Sequence, residues 1–410
     1  MYRFTLIVLC ICRVWTISQK PLRKSWEIPI FGYSKTTAMN ANQRFLALDV
    51  FRGMTICLMI IVNTPGDSSL TFAPLHHAKW DGFTPTDLVF PSFLFAVGNA
   101  MSFVMKKWEQ KKTSEVLAKI FKRTLLIFLL GYLLYWFPFF HVANGHWSLS
   151  PIAHTRILGV LQRIALCYGF ASLMVYFLKP KLIIIISIGL LLLYWVLCFW
   201  FGDPFDPLSL QGNAGLAFDR WLMGDAHLYH GEGVAFDPEG WLSTLPAIVN
   251  VVAGYIVGQH VQKEGKSYEG LTKLILAGFA LLVIAYFWNF IFPINKKLWT
   301  SPFVLHTVGL DCLILGAIIY IVDMQKKIKW AWFFETVGKN PLFVYLLSEI
   351  LVTVLYLVPA GNSSLFRWIN LHIFSYAGDY WASLLFAVCY MLVCWSVGYW
   401  MDKRKIYVRV

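Results

Sequence analysis

Ten apolar segments, each close to the length that an α-helix needs to cross a bilayer, recur along this 410-residue chain. Hydrophobic residues make up 58% of the sequence and charged residues 14%, whereas charged residues make up about 25% of an average soluble chain. We therefore predict an all-α polytopic membrane protein. The transmembrane helices are expected at 46–64, 87–105, 120–140, 157–178, 182–201, 242–259, 274–292, 303–323, 341–358 and 381–400.

The N-terminal segment has a different character from the rest of the chain. Residues 4–17 are apolar but short, and Arg13 interrupts them, so we do not expect them to span a membrane. Met39 is a suitable start, which makes residues 1–38 an over-extended start or a poor signal peptide, and we favour the former. We predict an N-terminal extension at 1–43 and a single transmembrane domain at 44–410.

Basic residues are distributed unevenly between alternate loops. The loops after the first, third, fifth, seventh and ninth segments contain six Lys and Arg residues, while the other loops with their flanks and the C-terminal tail contain nineteen. Cytoplasmic loops of membrane proteins are enriched in these residues. The pattern predicts that both termini are cytoplasmic, and it accounts for the net charge of +13 without nucleic acid as a partner. The odd-numbered loops are then expected to face the periplasm or a lumen.

Three polar residues lie along the first segment. Asp49 and Arg52 are three residues apart and Asn63 follows Arg52 by eleven, so all three share one helix face. Ionisable side chains inside a membrane usually face a cavity or a charged partner. This stripe can therefore line a site, or Asp49 and Arg52 can pair and lock neighbouring helices together. Asn63 alone is as consistent with a helix cap as with a site.

Polar residues also lie at the ends of two later segments. Gln162 and Arg163 fall about a turn inside the fourth segment, where Arg163 needs an anion or several carbonyl groups. Lys339 and Asn340 precede the ninth segment, where a lysine can hold a phosphate or can be one more cytoplasmic positive charge. Two further acids lie within segments, and the sequence identifies no partner for them: Asp311 and Glu349.

A titratable cluster lies between the first two segments, in the stretch LHHAKWDGFTPTDLVFP at 75–91. His77 titrates near neutrality and can act as a base or a nucleophile. Asp87 opens the second segment, where it can orient an imidazole or cap the helix. His76 and His77 can also be ordinary loop histidines, so chemistry alone leaves a catalytic role open.

The longest loop, 202–241, is acidic, with seven carboxylates and one arginine. Such a loop can receive a cationic substrate or can be a solvated surface. Its stretch DAHLYH offers Asp225, His227 and His230 as zinc ligands, but no further strong ligand set lies nearby, and we predict no metal site. The eight cysteines lie in apolar runs without a CxxC pair, so we expect no disulfide framework.

Several long motifs occur in an order that is similar to one known family. From about residue 44 to the C-terminus the chain resembles the heparan-α-glucosaminide N-acetyltransferase family, in RFLALDVFRGMTICLMIIVN, HHAKWDGFTPTDLVFPSFLFAVGNAM, TRILGVLQRIALCY, DRWLMGDAHLYH, VAFDPEGWLSTLPAIVN, FPINKKLWT and GKNPLFVY. The resemblance implies a multi-pass enzyme that moves acetyl from cytosolic acetyl-CoA to the amine of a terminal glucosamine, or of a related amino sugar, across the membrane. It also implies a homodimer.

The resemblance assigns roles to the polar residues. His77 matches the active-site histidine, and Asn63 and Asp87 match residues that line the same site. His77 then takes the acetyl group itself or deprotonates the sugar amine. The residues that we expect along a tunnel for acetyl-CoA, with its phosphates at the cytoplasmic end, are Asp49, Arg52, Gln162, Arg163, Lys339 and Asn340. The residues that we assign to the acceptor are Trp80, Asp237 and Glu239.

Two departures from the animal members change the expected location. The animal lysosomal members have a sizeable luminal domain before the first span, which we do not expect here. HAKWDG also carries Lys79 and Asp81 where the animal pattern has small and amide residues. We therefore expect a bacterial inner-membrane enzyme that acts on periplasmic amino sugars. Two alternatives stay open: a transporter for an amino sugar or glycan, and an O-acetyltransferase of an envelope glycan.

Overall fold

The computed structural model of the protein describes residues 45–143, 146–264 and 266–408, so the predicted extension at 1–43 lies outside the described residues. Most of the described chain is helical. The α-helices are α1 (Leu46–Asn63), α2 (Pro85–Trp108), α3 (Thr113–Trp136), α4 (Val160–Phe177), α5 (Pro180–Phe201), α6 (Ala214–Met223), α7 (Trp241–Glu264), α8 (Tyr268–Trp288), α9 (Ser301–Ile318), α10 (Ala331–Gly338), α11 (Pro341–Leu357), α12 (Leu365–Ile369) and α13 (Asp379–Lys403).

Shorter elements lie between the ends of successive helices. Two hairpins pair β1 (Phe140–Ala143) with β2 (His146–Leu149) and β3 (Pro359–Ala360) with β4 (Ser363–Ser364). Single 3₁₀ turns and two π-helical turns complete the fold: Ala73–Leu75, Ile152–His154, Asp225–His227, Ile319–Met324, Asn370–Phe374 and Ser375–Ala377. The π-helical turn Ile319–Met324 continues α9 without a break.

A helix corresponds to each of the ten predicted segments. Eight helices of the described chain are each long and apolar enough to cross a membrane alone, namely α1, α2, α4, α5, α7, α8, α13 and α9 with its extension to Met324. α10 and α11 together form a further apolar pair that bends by 83° at their junction. α3 is 24 residues long, like α2, but carries Lys119, Lys122 and Arg123 in its first half. The prediction of an all-α polytopic membrane protein is confirmed.

The start of α2 is fixed by a capping box. Thr84 is the N-cap, and both its backbone N–H and its hydroxyl donate to Asp87 Oδ2 at 3.0 Å. Asp87 N–H donates back to the carbonyl oxygen of Thr84 at 2.9 Å. Pro85 occupies the first helical position, where the N–H that proline lacks would have no partner within the helix. These local signals hold the Asp87 carboxylate directly beneath the preceding loop.

Small residues allow α2 and α7 to pack closely at the centre of the bundle. A Cβ atom on Gly98 would lie 1.9 Å from the carbonyl oxygen of Val251, and one on Gly254 would lie 2.0 Å from the carbonyl oxygen of Phe95. Any larger residue at either glycine would push the backbones apart. Such small-residue contacts are a common way to pack helices in a membrane, where lipid removes most of the hydrophobic drive.

The loops that follow the odd-numbered predicted segments meet at one end of the bundle. We call this end the loop face, made of residues 64–84, 137–143, 146–159, 202–240, 289–300 and 358–378. Hydrogen bonds join these loops in pairs: Gly82 N to Ile294 O (2.8 Å), Trp80 Nε1 to Leu208 O (2.9 Å), Asn370 Nδ2 to Gly66 O (3.0 Å) and Ile157 N to His227 O (3.2 Å). Alternating crossings of a membrane require that these loops share one side, so the contacts support the predicted order of segments.

Lysine-rich connections and the C-terminal segment meet at the other end. We call this end the basic face, made of residues 109–112, 325–340 and 402–408. Lys339 Nζ lies 2.9 Å from Asp402 Oδ2 there, and the Asn340 side chain donates to the carbonyl oxygen of Ile406 at 2.9 Å. The end of α13 is thereby tied to the junction of α10 and α11.

Candidate active site

His77 and Asp87 form a hydrogen-bonded pair at the loop face. Their Nδ1 and Oδ1 atoms are 2.7 Å apart. The Asp87 carboxylate is fully buried and also accepts from the backbone N–H of Ala78 at 3.1 Å and from that of Thr84 at 3.0 Å. Because this carboxylate accepts from every neighbour, His77 donates to it through Nδ1–H, and the lone pair of the neutral ring lies on Nε2. Asp87 therefore both caps α2 and orients the imidazole, which the sequence offered as alternatives.

Lys296 brings a positive charge to this pair from a distant part of the chain. Its Nζ lies 3.0 Å from Nδ1 and 3.4 Å from Nε2 of His77, and 3.7 Å from Asp87 Oδ1. The loop that carries it is fixed to the histidine loop, because Asn295 Nδ2 donates to Asp81 Oδ1 at 3.1 Å. Lys296 was not predicted as a site residue. FPINKKLWT marks the segment, but no local pattern pairs a lysine with a histidine 219 positions earlier.

The environment keeps the His77 imidazole neutral at neutral pH. Burial of the ring lowers the pKa of His77; the Asp87 hydrogen bond opposes this effect, and the charge of Lys296 adds to it. Burial also lowers the pKa of Lys296, against the attraction of Asp87 and Glu239. A neutral imidazole is the form that accepts a proton or attacks an electrophile.

Asp237 and Glu239, which we assigned to the acceptor, share one arginine. Arg156 Nη2 donates to Asp237 Oδ1 and to Glu239 Oε2 at 2.6 Å each, and Arg156 Nε donates to Asp237 Oδ2 at 2.9 Å. Burial raises the pKa of Asp237. Burial acts in the same direction on Glu239, but the charges of Arg156, Arg163 and Lys296 and the hydrogen bond from Arg156 together outweigh it, and the pKa of Glu239 is lowered. Glu239 in turn acts electrostatically on His77, so this ionic cluster borders the histidine pair.

Asn63 contacts Glu349, an acid for which the sequence identified no partner. The side chains of Asn63 and Tyr345 both hydrogen-bond to the Glu349 carboxyl group. Tyr345 and Glu349 are four residues apart on α11 and share one helix face. The same tyrosine is within electrostatic range of Glu239. Glu349 and Tyr345 thus extend the polar cluster from α1 to α11, and the sequence analysis gave neither of them a role in the site.

Trp80 packs at the edge of this region. Its indole N–H donates to the carbonyl oxygen of Leu208 at 2.9 Å, and its ring centroid lies 5.9 Å from that of Phe236. Lys297 Nζ lies 5.9 Å from the Trp80 ring and 2.5 Å from Glu232 Oε2. Because the indole N–H already donates to Leu208, only the face of the Trp80 ring remains to contact an acceptor substrate.

Gln162 and Arg163 lie fully buried in the first turn of α4. Arg163 Nη2 donates to the carbonyl oxygen of Gly240 at 3.0 Å and to the hydroxyl of Ser243. The guanidinium carbon lies 4.8 Å from the Trp299 ring centroid. Arg163 therefore holds the segment that carries Glu239. Among the described residues, the Gln162 amide and Nε and Nη1 of Arg163 have no hydrogen-bond partner.

Asp49 and Arg52 lie far from His77, at the end of α1 nearest the basic face. Arg52 Nη1 donates to the carbonyl oxygen of Gly338 at 3.0 Å and lies 3.4 Å from Asp49 Oδ1. These contacts agree with the interpretation that Asp49 and Arg52 form a pair that fastens neighbouring helices.

Lys339 and Asn340 form the junction between α10 and α11. Lys339 Nζ lies 2.9 Å from Asp402 Oδ2, and the Asn340 side chain donates to Ile406 O and accepts from the N–H of Val408, both at 2.9 Å. The structure thus brings Lys339 and Asn340 together with Arg52 at the basic face. It places His77, Asp87, Asn63, Asp237 and Glu239 together at the loop face.

The DAHLYH stretch makes other contacts. His227 Nδ1 lies 2.8 Å from the carbonyl oxygen of Thr155, and Asp225 Oδ1 lies 3.0 Å from Arg220 Nε. In the described part of the chain, no group of three or more His, Cys, Asp or Glu side chains is arranged to hold a metal ion.

Together these features define a class of protein: a polytopic membrane protein with a histidine–carboxylate pair and an adjacent cation at one end of its bundle, the groups used in acyl transfer. The chain belongs to the family described as heparan-alpha-glucosaminide N-acetyltransferase, catalytic, whose model matches residues 44–284. The resemblance predicted from the motifs is therefore confirmed. The matched range includes Asn63, His77, Asp87 and Glu239 and ends before Lys296.

Two relatives carry the name heparan-alpha-glucosaminide N-acetyltransferase. The protein from Mus musculus is 28% identical over an alignment that covers 78% of this chain and 55% of the mouse protein. The protein from Homo sapiens is 29% identical over an alignment that covers 75% of this chain and 53% of the human protein. The chain thus spans about half the length of the curated relatives it matches.

Proposed function

We propose that this protein is a transmembrane acetyltransferase that moves acetyl from acetyl-CoA to the amine of a terminal glucosamine, or of a related amino sugar. The observation that carries the proposal is the 2.7 Å hydrogen bond between His77 and Asp87 beside Lys296. This bond fixes the ring and leaves Nε2 ready to accept a proton or an acyl group. The family and the names of the mouse and human relatives supply the reaction class and the acceptor.

In the direct route, the acceptor amine attacks the thioester carbonyl carbon. A C–N bond forms, and His77 Nε2 takes the proton that the amine loses. The C–S bond then breaks, and CoA leaves as a thiolate that takes this proton back from the imidazolium. Asp87 holds the ring and stabilises its charged form between these two transfers. The net change is one amine and one acetyl thioester converted to one amide and one free thiol.

In the two-stage route, His77 is the nucleophile. Its Nε2 attacks the thioester, the C–S bond breaks, and the acetyl group rests on the imidazole while CoA departs. The acceptor amine then attacks the acetyl-imidazole, and the bond from the acetyl carbon to Nε2 breaks as the amide forms. The freed Nε2 passes the proton that the amine loses to solvent, which supplies the proton taken up by the departed CoA thiolate. Both routes use the same ring nitrogen, and Asn63 can donate to the oxygen of the tetrahedral intermediate in either.

The donor is proposed to enter from the basic face, which we place on the cytoplasmic side. A CoA thioester is too highly charged to cross lipid, so its phosphates have to stay with cations while its acetyl arm reaches inward. Arg52 and Lys339, assisted by Asn340, are the cations and the amide at that end. Asp49, Gln162 and Arg163 would line the way, and the unpartnered buried atoms of Gln162 and Arg163 suit a polar ligand arm.

The acceptor is proposed to bind at the loop face, exposed to the periplasm of a bacterial inner membrane. Glu239 and Asp237 would attract an amino-sugar ammonium in competition with Arg156, and the Trp80 ring face would pack against the sugar. The protein is further proposed to act as a homodimer in the bilayer.

The direct test is acetyl transfer by purified protein in lipid nanodiscs. Radiolabelled acetyl-CoA and glucosamine are offered to wild type, His77→Ala and His76→Ala. His76 is a matched control, because its Nε2 contacts the backbone oxygen of Thr71 and not the carboxylate of Asp87. We expect labelled N-acetylglucosamine from wild type and His76→Ala, and a loss of at least about 100-fold in His77→Ala.

Other results would redirect the assignment. Activity that survives in His77→Ala would overturn the role of His77. A labelled product that alkaline hydroxylamine cleaves would be an ester and would indicate an O-acetyltransferase. Failure to bind or to hydrolyse acetyl-CoA, with uptake of amino sugar into sealed vesicles, would indicate a transporter.

A further inference from the structure

Two adjacent lysines on the loop face have different surroundings. Lys297 pairs with Glu232 at 2.5 Å and lies beside the Trp80 ring. Lys296 points the other way and lies within 3.0–3.4 Å of both ring nitrogens of His77. Both side chains are 18% exposed, so the difference lies in their partners and not in their depth.

The salt bridge of Lys296 to Asp87 is longer than its contact with the His77 ring. Its Nζ is 3.7 Å from Asp87 Oδ1, and that carboxylate also accepts from His77, Ala78 and Thr84. The ammonium group is closer to the ring, at 3.0 Å from Nδ1, and this ring has to become positively charged in acid–base catalysis. A cation next to an imidazole costs free energy whenever the imidazole is protonated, so Lys296 acts on His77 as well as on Asp87.

We propose that Lys296 supplies the positive charge of the acetyl-transfer centre, an inference that rests on the proposed function. Its ammonium group disfavours protonation of His77 before the substrate arrives. Its Nζ lies 3.4 Å from Nε2, close enough to stabilise the negative charge that would develop on the thioester oxygen when a nucleophile near Nε2 attacks. Lys296 is thus a positioning and electrostatic residue for the reaction, and its neighbour Lys297 is not.

The charged groups around His77 and Lys296 support the different roles of Lys296 and Lys297. His77 is faced by Asp87 from α2, by Lys296 from the 289–300 loop and by Glu239 from the segment before α7. Lys296 is faced by Asp87, Glu239 and Lys297. Both acids raise the pKa of His77, and in this set of neighbours Lys296 is the cation that lowers it. Removal of its charge therefore leaves two anions acting on the imidazole and raises the pKa of His77.

The test compares Lys296→Met, which keeps an unbranched side chain that is one atom shorter and removes its charge, with Lys296→Arg and with the matched control Lys297→Met. We expect Lys296→Met to lower kcat by about 100-fold or more, as for loss of a group that stabilises an oxyanion. We expect the acidic limb of its kcat/KM profile to move to higher pH. Lys296→Arg should retain part of kcat and an acidic limb close to wild type, and Lys297→Met should match wild type in the position of that limb.

A second readout does not need substrate. Diethyl pyrocarbonate modifies only neutral imidazole, so the pH dependence of His77 modification, followed by mass spectrometry, reports the protonation of this ring. Lys296→Met should shift that dependence to higher pH, and Lys296→Gln serves in its place if the Met variant does not fold. An unchanged modification profile in the folded variant would overturn the inference. If wild type makes no acetylated product while the modification profile shifts, the proposed function fails and the electrostatic pairing stands.

Discussion

Asp87 is the N3 residue of α2 and at the same time the carboxylate that holds His77 Nδ1 at 2.7 Å. One side chain therefore stabilises the start of a membrane helix and sets the orientation of the proposed catalytic base. Replacement of Asp87 by Asn keeps its shape but removes the charge that the imidazolium needs. We expect Asp87→Asn to reduce acetyl transfer by about 10²–10⁴-fold. Loss of the cap should also cost about 1 kcal/mol of stability.

The check is kcat with saturating acetyl-CoA, read together with thermal unfolding. Asp67→Asn is the control, because Asp67 lies on the same loop but bonds to Ser69 at the surface. An Asp87→Asn variant that unfolds earlier but retains wild-type kcat would show that Asp87 only caps the helix.

Arg156 neutralises Asp237 and Glu239 in a site where its side chain is only 14% exposed. We expect Arg156→Met to destabilise the protein by about 3–5 kcal/mol, because two buried carboxylates lose their partner. Arg220→Met removes an exposed pair with Asp225 and should cost about 1 kcal/mol or less. Thermal unfolding in nanodiscs compares the two. Equal decreases in Tm for the two variants would show that the buried pairs of Arg156 stabilise the protein no more than the exposed pair of Arg220.

Asp219, on α6 in the 202–240 loop, has a pKa raised to about 7 by burial, although its Oδ1 accepts from the N–H of Trp241. In the unfolded chain its pKa returns toward 3.8. The folded state thus holds a proton that the unfolded state releases, and stability falls as pH rises between these two values. Asp219→Asn should therefore raise Tm at pH 8 and raise it much less at pH 4.

The increase in Tm of Asp219→Asn at pH 8 should be about 2–4 °C for each kcal/mol by which the free energy of unfolding increases. The exposed carboxylate of Asp225 gives the control, and Asp225→Asn should leave the pH dependence of Tm unchanged. A pH-independent effect of Asp219→Asn would mean that the carboxylate stays ionised in the folded protein.

Asn63 and Glu349 should act as a unit, because the Asn63 amide hydrogen-bonds to the Glu349 carboxyl group. In a double-mutant cycle of Asn63→Ala and Glu349→Gln, we expect the effects on kcat/KM to be non-additive by about 1 kcal/mol. The cycle of Glu349→Gln with Glu232→Gln, whose carboxylate pairs with Lys297, should be additive within about 0.5 kcal/mol. Additivity in the first cycle would separate Asn63 from Glu349 in function.

The sequence was sufficient to predict the long apolar helices, because each segment carries its own signal, but the short helices α6, α10 and α12 were not predicted. A helix corresponds to each of the ten predicted segments, although the charges in the first half of α3 leave it outside the eight long apolar helices. The largest differences are at starts such as Thr113 and Tyr268, where amphipathic turns precede the apolar run. The span predicted at 341–358 corresponds to α11 and leaves out α10. Lys339 and Asn340 interrupt the apolar pattern between these two helices.

The site was predictable only where its contacts are local. His77 and Asp87 are ten residues apart, and a capping signal places the second. Lys296 and Glu349 reach the same region from the second half of the chain, through the packing of α8 and α11. Arg156 joins Asp237 across 81 positions. Such contacts depend on which helices are neighbours, and single-segment patterns do not contain that information.

α1 extends from Arg52 near the basic face to Asn63 near the loop face, and a continuous α-helix cannot stretch. Eleven residues at about 1.5 Å each set a separation of about 16 Å along its axis. If the proposed function is correct, this helix sets the length of the donor. A donor anchored at Arg52 has to carry its reactive carbon on an arm that is at least as long as this separation. A thioester on a shorter carrier would bind the same cations and never reach the histidine.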